Sequence, residues 1–139
     1  MLTAADIMSR HPVVIRLTDP LSTAMKLFQS HAVHHLPVVE GGRLVGLVTK
    51  VDCLRAQVNG AASSTRLKDL MTRPVLTVTP ETPLRATLDR LLERHFHCLP
   101  VVKSDGQLVG IVTGTDFARL SRQHIEELDA KELAREWEH

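Results

Sequence analysis

The chain carries one sequence pattern twice. Residues 36–39 and residues 99–102 both read Leu-Pro-Val-Val. Each block is followed by a short turn and a near-copy, LVGLVTKVD at 44–52 and LVGIVTGTD at 108–116. The second copy follows the first by 63 residues before the turn and by 64 after it, so the second turn is one residue longer. An internal repeat of this length predicts two like structural units that share a core.

Composition and charge narrow the class of protein. The 139 residues suffice for one compact module, and a formal net charge of +1 gives no reason to expect binding to nucleic acid or to a membrane surface. An aromatic content of 3% without tyrosine removes the stacking platforms of single-strand binders. No apolar run approaches the roughly 20 residues of a membrane span, and no signal-peptide pattern opens the chain. With only Cys53 and Cys98, too few for a disulfide scaffold, we expect a soluble, cytoplasmic protein.

Both copies predict the same order of elements. A short opening helix, with a capping box at Thr3–Asp6, precedes a strand of β-branched residues at 13–17 and again at 75–79. A helix then begins where a capping residue precedes proline, at Asp19-Pro20 and at Thr82-Pro83. The helices show apolar stripes with i, i+4, i+7 spacing, formed by Leu21, Met25 and Phe28 and by Leu84, Leu88, Leu91 and Leu92.

A hairpin and a last helix complete each copy. The hairpin strands at 36–40 and 43–48 are joined by Gly41-Gly42, and those at 99–103 and 107–112 are joined by residues 104–106. A helix follows Thr49 in the first copy and Thr113 in the second. The sequence therefore predicts an α/β (α+β) fold of two β-α-β-β-α units.

The repeat also suggests where the units end. We expect repeat 1 at 1–58, a linker at 59–65, repeat 2 at 66–122 and a C-terminal helical extension at 123–139. The extension is charged, with scattered apolar anchors at Ile125, Leu128, Leu133 and Trp137. Two alternatives stay open: the helix docks on its own module, or it presents a surface to a partner's helix.

The repeated G-x-x-T-x-x-D pattern is the sharpest candidate site, with members Gly46, Thr49, Asp52, Gly110, Thr113 and Asp116. A threonine followed three residues later by an acid, where a strand passes into a helix, is sufficient to form a capping box. The same helix start offers free amides and a partial positive charge to a phosphate, while the carboxylate suits the vicinal hydroxyls of a sugar. The glycines would allow a ligand or another backbone to approach closely. Capping and ligand binding are both compatible with the pattern.

Histidines form the second candidate group. His31, His34 and His35 precede the hairpin of the first copy, and His95 and His97 precede that of the second. They favour either polar strand ends that face a phosphate or, less well, a metal site, because no carboxylate or cysteine accompanies them at ligand spacing. G-x-S-x-G, the P-loop, G-x-G-x-x-G and H-E-x-x-H are absent from the sequence, so we expect no enzyme activity.

Taken together, these motifs resemble the tandem CBS domain, or Bateman module. The resemblance covers about residues 4–120 and rests on D-[IL]-M, Pro-Val before the first strand, [HC]-L-P-V-V and G-[LI]-V-T-x-x-D, each present twice in register. It implies a pseudo-twofold pair of units that binds AMP, ADP, ATP or S-adenosylmethionine between the copies, without a metal, and that associates into a homodimer. The chain is similar to small stand-alone bacterial proteins of this family, whose output passes through a partner protein. The alternatives are a ligand-free interaction or dimerisation module and, less favoured, a metal-binding sensor.

The resemblance also implies roles for individual residues. It assigns phosphate or ribose contacts to Thr49 and Thr113, ribose hydroxyls to Asp52 and Asp116, the base to Pro12, Val13, Val14, Val75 and Leu76, and phosphate to His34, His35 and His97. Lys50 follows Thr49 where a phosphate would lie, while Gly114 holds the equivalent position. We therefore expect the first pair to prefer more phosphates, unless Lys50 simply points to solvent.

Overall fold

A computed structural model shows the fold and describes residues 1–93 and 98–137. Its elements, in chain order, are α1 (Ala4–Ile7), β1 (Ser9–Arg10), β2 (Ile15–Arg16), α2 (Leu21–Ser30), β3 (His35–Glu40), β4 (Arg43–Thr49), α3 (Lys50–Val58), a 3-10 helix (Leu67–Asp69), α4 (Leu84–Glu93), β5 (Cys98–Val102), β6 (Leu108–Thr113) and α5 (Gly114–Trp137). The predicted mixed fold of two like units is confirmed.

Each unit is built on one three-stranded sheet. The strand orders are β2-β3-β4 and β1-β6-β5, and the hairpin pairs β3–β4 and β5–β6 are antiparallel. Both hairpins carry a register irregularity at the same place in the repeat, between Val38 and Val39 and between Val101 and Val102. Each sheet has its own buried apolar cluster, one around Leu36 and one around Leu99.

The predicted strand at 75–79 is wrong in extent. In the first unit β2 runs parallel to β3, whereas in the second only Val78 forms a bridge, parallel to Val101. The Val78 N–H donates to the Pro100 carbonyl at 3.1 Å, and the Val78 carbonyl accepts from Val102 N–H at 2.9 Å. Pro100 has no N–H to donate, but its neighbours Leu99 and Val101 keep theirs. No single residue type therefore explains why the second unit forms one bridge where the first unit forms a strand pair.

The two repeats exchange their opening segments. Strand β1 pairs antiparallel with β6, and Ala4 is fully buried in the second apolar cluster. In return, Leu67 is buried in the first cluster, and Thr72 exchanges backbone hydrogen bonds of 2.8 and 3.1 Å with Leu47. The opening segment of each repeat therefore packs on the other unit, although it precedes its own unit in the sequence. The exchange pairs backbone groups that would otherwise lie unpaired on the outer edges of β4 and β6.

The starts of α2 and α4 also differ from the prediction. Asp19 does not cap α2, because its Oδ2 accepts from the Arg16 N–H at 2.9 Å and so closes the preceding turn. Thr82 does the same for Thr79, whose N–H donates to the Thr82 hydroxyl oxygen at 3.0 Å. Backbone carbonyls from elsewhere serve the helices instead: Leu21 N–H donates to Thr65 at 2.8 Å, and Leu84 N–H donates to Leu2 at 3.0 Å. The capping box at Thr3 is confirmed by a 2.7 Å bond from its N–H to Asp6 Oδ2.

The C-terminal extension is the outer part of helix α5. Helix α5 continues without a break to Trp137, and every residue from 121 to 137 is exposed. The alternative in which this helix docks on its own module is therefore not what the structure has.

On α4, Leu91 is buried while Leu92 is 63% exposed, so the predicted stripe is narrower than expected, and Thr87 occupies a buried position within it.

Candidate functional site

A cleft of about 1000 Å³ lies where a strand of each unit passes into its last helix. Among the described residues it is lined by 9–13, 32–35, 49–52, 54, 111, 113–116 and 119. Both Thr–Asp pairs of the repeated pattern therefore face the same cleft. The walls come from both repeats, together with the segment that follows β1.

Strand register explains how the cleft is assembled. His35 pairs with Thr49 across the first hairpin, and the Lys50 N–H donates to the His34 carbonyl at 2.9 Å. The two histidines are thus fixed beside the start of α3. On the opposite wall, pairing of Arg10 with Gly110 brings the N-terminal segment alongside β6. His11 then adopts a φ of 55°, in the left-handed region, and turns the chain along the cleft.

The first Thr–Asp pair is partly open. Thr49 Oγ1 accepts a hydrogen bond from the Asp52 backbone N–H at 3.0 Å and so caps α3. The Asp52 side chain is 34% exposed, and its Oδ1 lies 3.4 Å from Arg55 Nη1. Within the described part of the chain, no donor reaches Asp52 Oδ2. One carboxylate oxygen of this pair is therefore available to a ligand from the cleft.

The second pair, although identical in sequence pattern, is closed on itself. Asp116 Oδ2 accepts from the Thr113 N–H at 2.7 Å and from the Thr113 hydroxyl at 3.3 Å. Its Oδ1 lies 3.5 Å from Arg119 Nη1, and the side chain is only 5% exposed. A ligand that used Asp116 would compete with its contacts to Thr113 and Arg119. The two copies of G-x-x-T-x-x-D therefore offer different acceptors.

The charges of the lining residues favour an anion. Three of the lining residues are cations, Arg10, Lys50 and Arg119, and two are carboxylates, Asp52 and Asp116. Arg119 pairs with Asp116, and Asp52 pairs with Arg55, which does not line the cleft. In the described ranges, Arg10 and Lys50 have no carboxylate within 4.0 Å. The N-termini of α3 and α5 add partial positive charge from the same side.

Three of the residues implied for the base lie elsewhere. Pro12 and Val13 line the cleft, whereas Val14 does not and is 36% exposed. Val75 lines a separate cleft of about 530 Å³, and Leu76 packs against the second apolar cluster. The physical reason is the bridge between Thr72 and Leu47, which carries the following residues toward β4.

The remaining sequence candidates are histidines, and the cleft also contains residues that were not candidates. His95 and His97 lie outside the described residues, and His31 is exposed and is not part of the cleft lining. Arg10, His11 and Arg119 line the cleft but were not candidates from the sequence. For the first two the only signal is their position after D-I-M, which becomes informative once β1 is known to pair with β6.

The glycine at the equivalent position of each repeat serves packing between the repeats. Gly46 faces the Met71 side chain, and Gly110 faces Met8. The prediction that another backbone approaches closely is confirmed at Gly110, where a Cβ would lie 3.0 Å from the Ser9 carbonyl oxygen, and at both glycines the nearest group is a methionine side chain from the other repeat.

The two cysteines do not provide a nucleophile. Both are buried free thiols. Burial, reinforced by the nearby Asp52 carboxylate, raises the pKa of Cys53 to about 11. Burial and the Asp116 carboxylate raise the pKa of Cys98 to about 12. Because the thiolate is the reactive form, both side chains are inert at neutral pH.

The described ranges, 1–93 and 98–137, offer neither a metal-ligand cluster nor a membrane-spanning helix. No three His, Cys, Asp or Glu side chains come together there as metal ligands. No helix in these ranges combines the length and apolarity that crossing a membrane requires.

Comparison with known proteins identifies the family. The profile of the CBS domain matches residues 4–59 and again residues 67–122. The chain belongs to the CBS domain family. Its two CBS repeats are the two units described above.

Solved structures support the same assignment. A putative acetoin utilization protein (AcuB) from Vibrio cholerae is 31% identical, with a TM-score of 0.83 over 94% of this chain and 97% of that one. The CBS domain pair of protein MJ0100, in complex with 5′-methylthioadenosine and S-adenosyl-L-methionine, is 28% identical, with a TM-score of 0.81 over 89% and 98%. CBSX2 in complex with AMP is 30% identical, with a TM-score of 0.80 over 88% and 98%.

Curated relatives are longer proteins. A homoserine O-acetyltransferase of Methanococcoides burtonii is 38% identical over 119 residues, which are 85% of this chain and 24% of that protein. The chain thus spans about a quarter of this relative's length. The similarity concerns only that part of the longer protein.

Proposed function

We propose that this chain is a non-catalytic regulatory module that binds an adenosine phosphate in the cleft and passes the bound state to a protein partner. The observation that carries the proposal is that an open Asp52 carboxylate lines the same cleft as Arg10 and Lys50, two cations that pair with no carboxylate of the described residues. A ribose presents two vicinal donors to a carboxylate, and a phosphate presents acceptors to cations and helix amides. Both groups of one nucleotide find partners here.

The arrangement suggests how the ligand lies. The Lys50 side chain and the His34 segment would hold phosphate at the positive end of α3, whose Lys50 and Asp52 N–H groups already donate to His34 and Thr49, while Asp52 Oδ2 would accept from the ribose. Pro12 and Val13 offer apolar surface to the base. The AMP complex of CBSX2 and the methylthioadenosine complex of MJ0100 support adenosine as the common element.

The charge of the cleft separates the candidate ligands. S-adenosylmethionine carries a sulfonium cation, which the unpaired Arg10 and Lys50 would repel, whereas ADP and ATP carry the opposite charge. We therefore rank nucleotides with more than one phosphate above S-adenosylmethionine. Free Cys53 and Cys98 fit a reducing compartment, and we place the protein in the cytoplasm as a homodimer.

One observation favours a second candidate function. Asp116 is fully engaged in capping α5, as expected if the pattern only stabilises helix starts. In that case the chain would be a ligand-free interaction module. The open Asp52 argues against extending this interpretation to both repeats.

Thermal unfolding with a ligand panel tests the proposal. A ligand at about 100 times its Kd adds about 2.7 kcal/mol to the free energy of unfolding, which raises Tm by roughly 10 °C in a chain of this size. The panel contains AMP, ADP, ATP, S-adenosylmethionine and, for the metal-sensor alternative, Zn²⁺. Asp52→Asn should reduce the shift, whereas Asp89→Asn, a matched exposed carboxylate on α4, should not. Failure of every adenosine compound at millimolar concentration would overturn the proposal.

A further inference from the structure

Histidines are concentrated in the cleft. Three of the five histidines that the structure describes line it: His11, His34 and His35. They come from two separate parts of the chain, the turn after β1 and the residues where β3 begins, which the fold brings to one cleft. Imidazole is the side chain whose ordinary charge change falls between about pH 5 and pH 8. The charge of this cleft can therefore change within the physiological pH range.

The backbone at His11 is held in an uncommon conformation. Its φ of 55° lies in the left-handed region, and among the described residues no other non-glycine residue has a positive φ. Strand β1 pairs with β6 as far as Arg10, and the turn at His11 then carries the chain along the cleft. An uncommon conformation that the surrounding structure holds in place points to a function at that residue. The His11 side chain is exposed and lines the cleft.

The His11 and His34 rings are open to a ligand. Within residues 1–93 and 98–137, neither ring takes part in a hydrogen bond or an ion pair, and both residues are exposed. The hydrogen bond that fixes the His34 segment uses its backbone carbonyl, which accepts from the Lys50 N–H. Both imidazoles are therefore free to donate to an oxygen atom that enters the cleft.

The charges around these rings favour proton uptake when an anion binds. The cations that line the cleft are Arg10, Lys50 and Arg119, and its two carboxylates already have arginine partners, Asp52 with Arg55 and Asp116 with Arg119. A bound phosphate would add negative charge beside the rings, and a nearby opposite charge favours the charged form of a titratable group. The protonated imidazole also donates from both ring nitrogens, and phosphate oxygens accept. Phosphate and proton therefore favour each other's binding.

We infer that the cleft takes up protons from solvent together with its nucleotide, on the imidazoles of His11 and His34, so that the module responds to pH as well as to nucleotide. The inference rests on the proposed function and adds regulation by pH to the same site. Affinity for a nucleotide should rise as pH falls from about 8 to about 6. The rise should end at about pH 6, because a terminal phosphate itself gains a proton there and loses one of its negative charges.

Calorimetric titration of the full chain with ATP measures the proton uptake. At pH 7 the titration is repeated in buffers of different ionisation enthalpy, and the dependence of the observed enthalpy on that of the buffer gives the number of protons taken up. We expect about one proton per ATP, and none for adenosine, which has no phosphate. Between pH 8 and pH 6.5 the affinity for ATP should rise by about tenfold, since each proton taken up changes the affinity by at most about tenfold per pH unit.

Variants separate these two imidazoles from the rest of the cleft. His11→Asn removes the ring but keeps a residue type that adopts left-handed backbone, and His34→Gln leaves the bond from Lys50 to the backbone carbonyl in place. In the double variant the loss of ATP affinity should be larger at pH 6.5 than at pH 8, and the proton uptake should disappear. His34→Lys supplies a permanent charge and should tighten ATP binding at pH 8, with a weaker response to pH. His124→Gln, which changes an exposed histidine of α5 outside the cleft lining, should behave like the unmodified chain.

The outcomes that contradict the inference are distinct. ATP binding without proton uptake, at one affinity from pH 8 to pH 6.5, would overturn it and leave the proposed function standing. Uptake that persists in the double variant would assign the protons to His35 or to the phosphate, and would overturn the roles of His11 and His34. Failure of ATP and AMP alike to bind at any pH would refute the proposed function, and this inference with it. Circular dichroism checks the fold of each variant, and the buffer series on the unmodified chain tests the inference by itself.

Discussion

Met71 rests its side chain directly on Gly46 of the other repeat. A Cβ placed on Gly46 would overlap the Met71 sulfur and lie 2.9 Å from its Cγ. Met8 and Gly110 repeat the relationship with the repeats interchanged, with the sulfur 2.6 Å from such a Cβ. The methionine of D-[IL]-M and the glycine of G-x-x-T-x-x-D are therefore two halves of one contact between the repeats. This contact positions the strand ends from which Thr49 and Thr113 reach the cleft.

Gly46→Ala should destabilise the protein by about 1–3 kcal/mol, because a methyl group in a filled space forces neighbouring atoms to shift. Urea denaturation measures the loss. Adding Met71→Ala should relieve the clash, so that the double variant loses less than the two single variants combined. Gly114→Ala is the control, since a Cβ there meets nothing within 4 Å. Full additivity of Gly46→Ala and Met71→Ala would show that the two residues do not oppose each other.

The two aspartates should separate stability from ligand binding. Asp116→Ala should lower the free energy of unfolding by about 1–2 kcal/mol, because it removes the buried acceptor of the Thr113 N–H. Asp52→Ala should cost about 0.5 kcal/mol, since its partly exposed carboxylate only pairs with Arg55. Denaturation curves for both variants, with Asp89→Ala as the exposed control, measure the difference. Equal losses would mean that the two carboxylates have the same role.

Nucleotide titration should show the reverse order. Asp52→Ala should weaken AMP binding more than Asp116→Ala, since only Asp52 offers an oxygen that no other group in the described chain uses. Calorimetry on both variants measures the affinities. A larger loss for Asp116→Ala would move the ribose to the second pair and contradict the pose proposed above.

The sequence was most informative where structure is set by neighbouring residues. The hairpin turns at Gly41-Gly42 and at 104–106, and the helices after Thr49 and Thr113, follow from local turn and capping chemistry. The exchange of opening segments was not predictable, because pairing of β1 with β6 joins residues about 100 positions apart. That exchange also decides which residues enter the cleft.

In the candidate site, too, local patterns were predictable from the sequence and tertiary contacts were not. Thr49, Asp52, Thr113 and Asp116 were recognisable because each pair lies within one local pattern. Their different hydrogen bonding was not, because the same four-residue pattern permits two capping geometries. Val75 lies outside this cleft for a tertiary reason, since the bridge from Thr72 to Leu47 directs its segment toward β4.

The buried thiols predict a loss of stability at alkaline pH. The folded-state pKa of Cys53 is raised from 9.0 to about 11 and that of Cys98 to about 12, so the folded chain holds both protons more tightly than the unfolded chain. Their contribution is fully present below pH 9 and is lost as pH rises from there toward 11 and 12. Each thiol removes at most about 1.4 kcal/mol per pH unit in this window.

Urea denaturation between pH 8 and pH 11 measures this effect. The free energy of unfolding of Cys98→Ala should decline less steeply with pH than that of the unmodified chain, because the variant lacks this thiol. The lysines that also titrate are common to both proteins and do not contribute to the difference. Thiol labelling at pH 8 should be slow in the folded protein and complete in urea. Identical pH slopes for the two proteins would contradict the raised pKa of Cys98.

The last prediction concerns the difference between Lys50 and Gly114, which hold equivalent positions and line the same cleft. A lysine in the first turn of α3 opposes the helix dipole in the empty protein, and a phosphate would relieve that cost. Lys50→Gly should therefore weaken ATP binding more than adenosine binding and flatten the salt dependence of ATP affinity. Gly114→Lys adds the same charge on α5 and should strengthen ATP binding, with adenosine as the uncharged control. Calorimetric titrations at two salt concentrations measure both effects, and equal losses for ATP and adenosine in Lys50→Gly would show that Lys50 faces solvent.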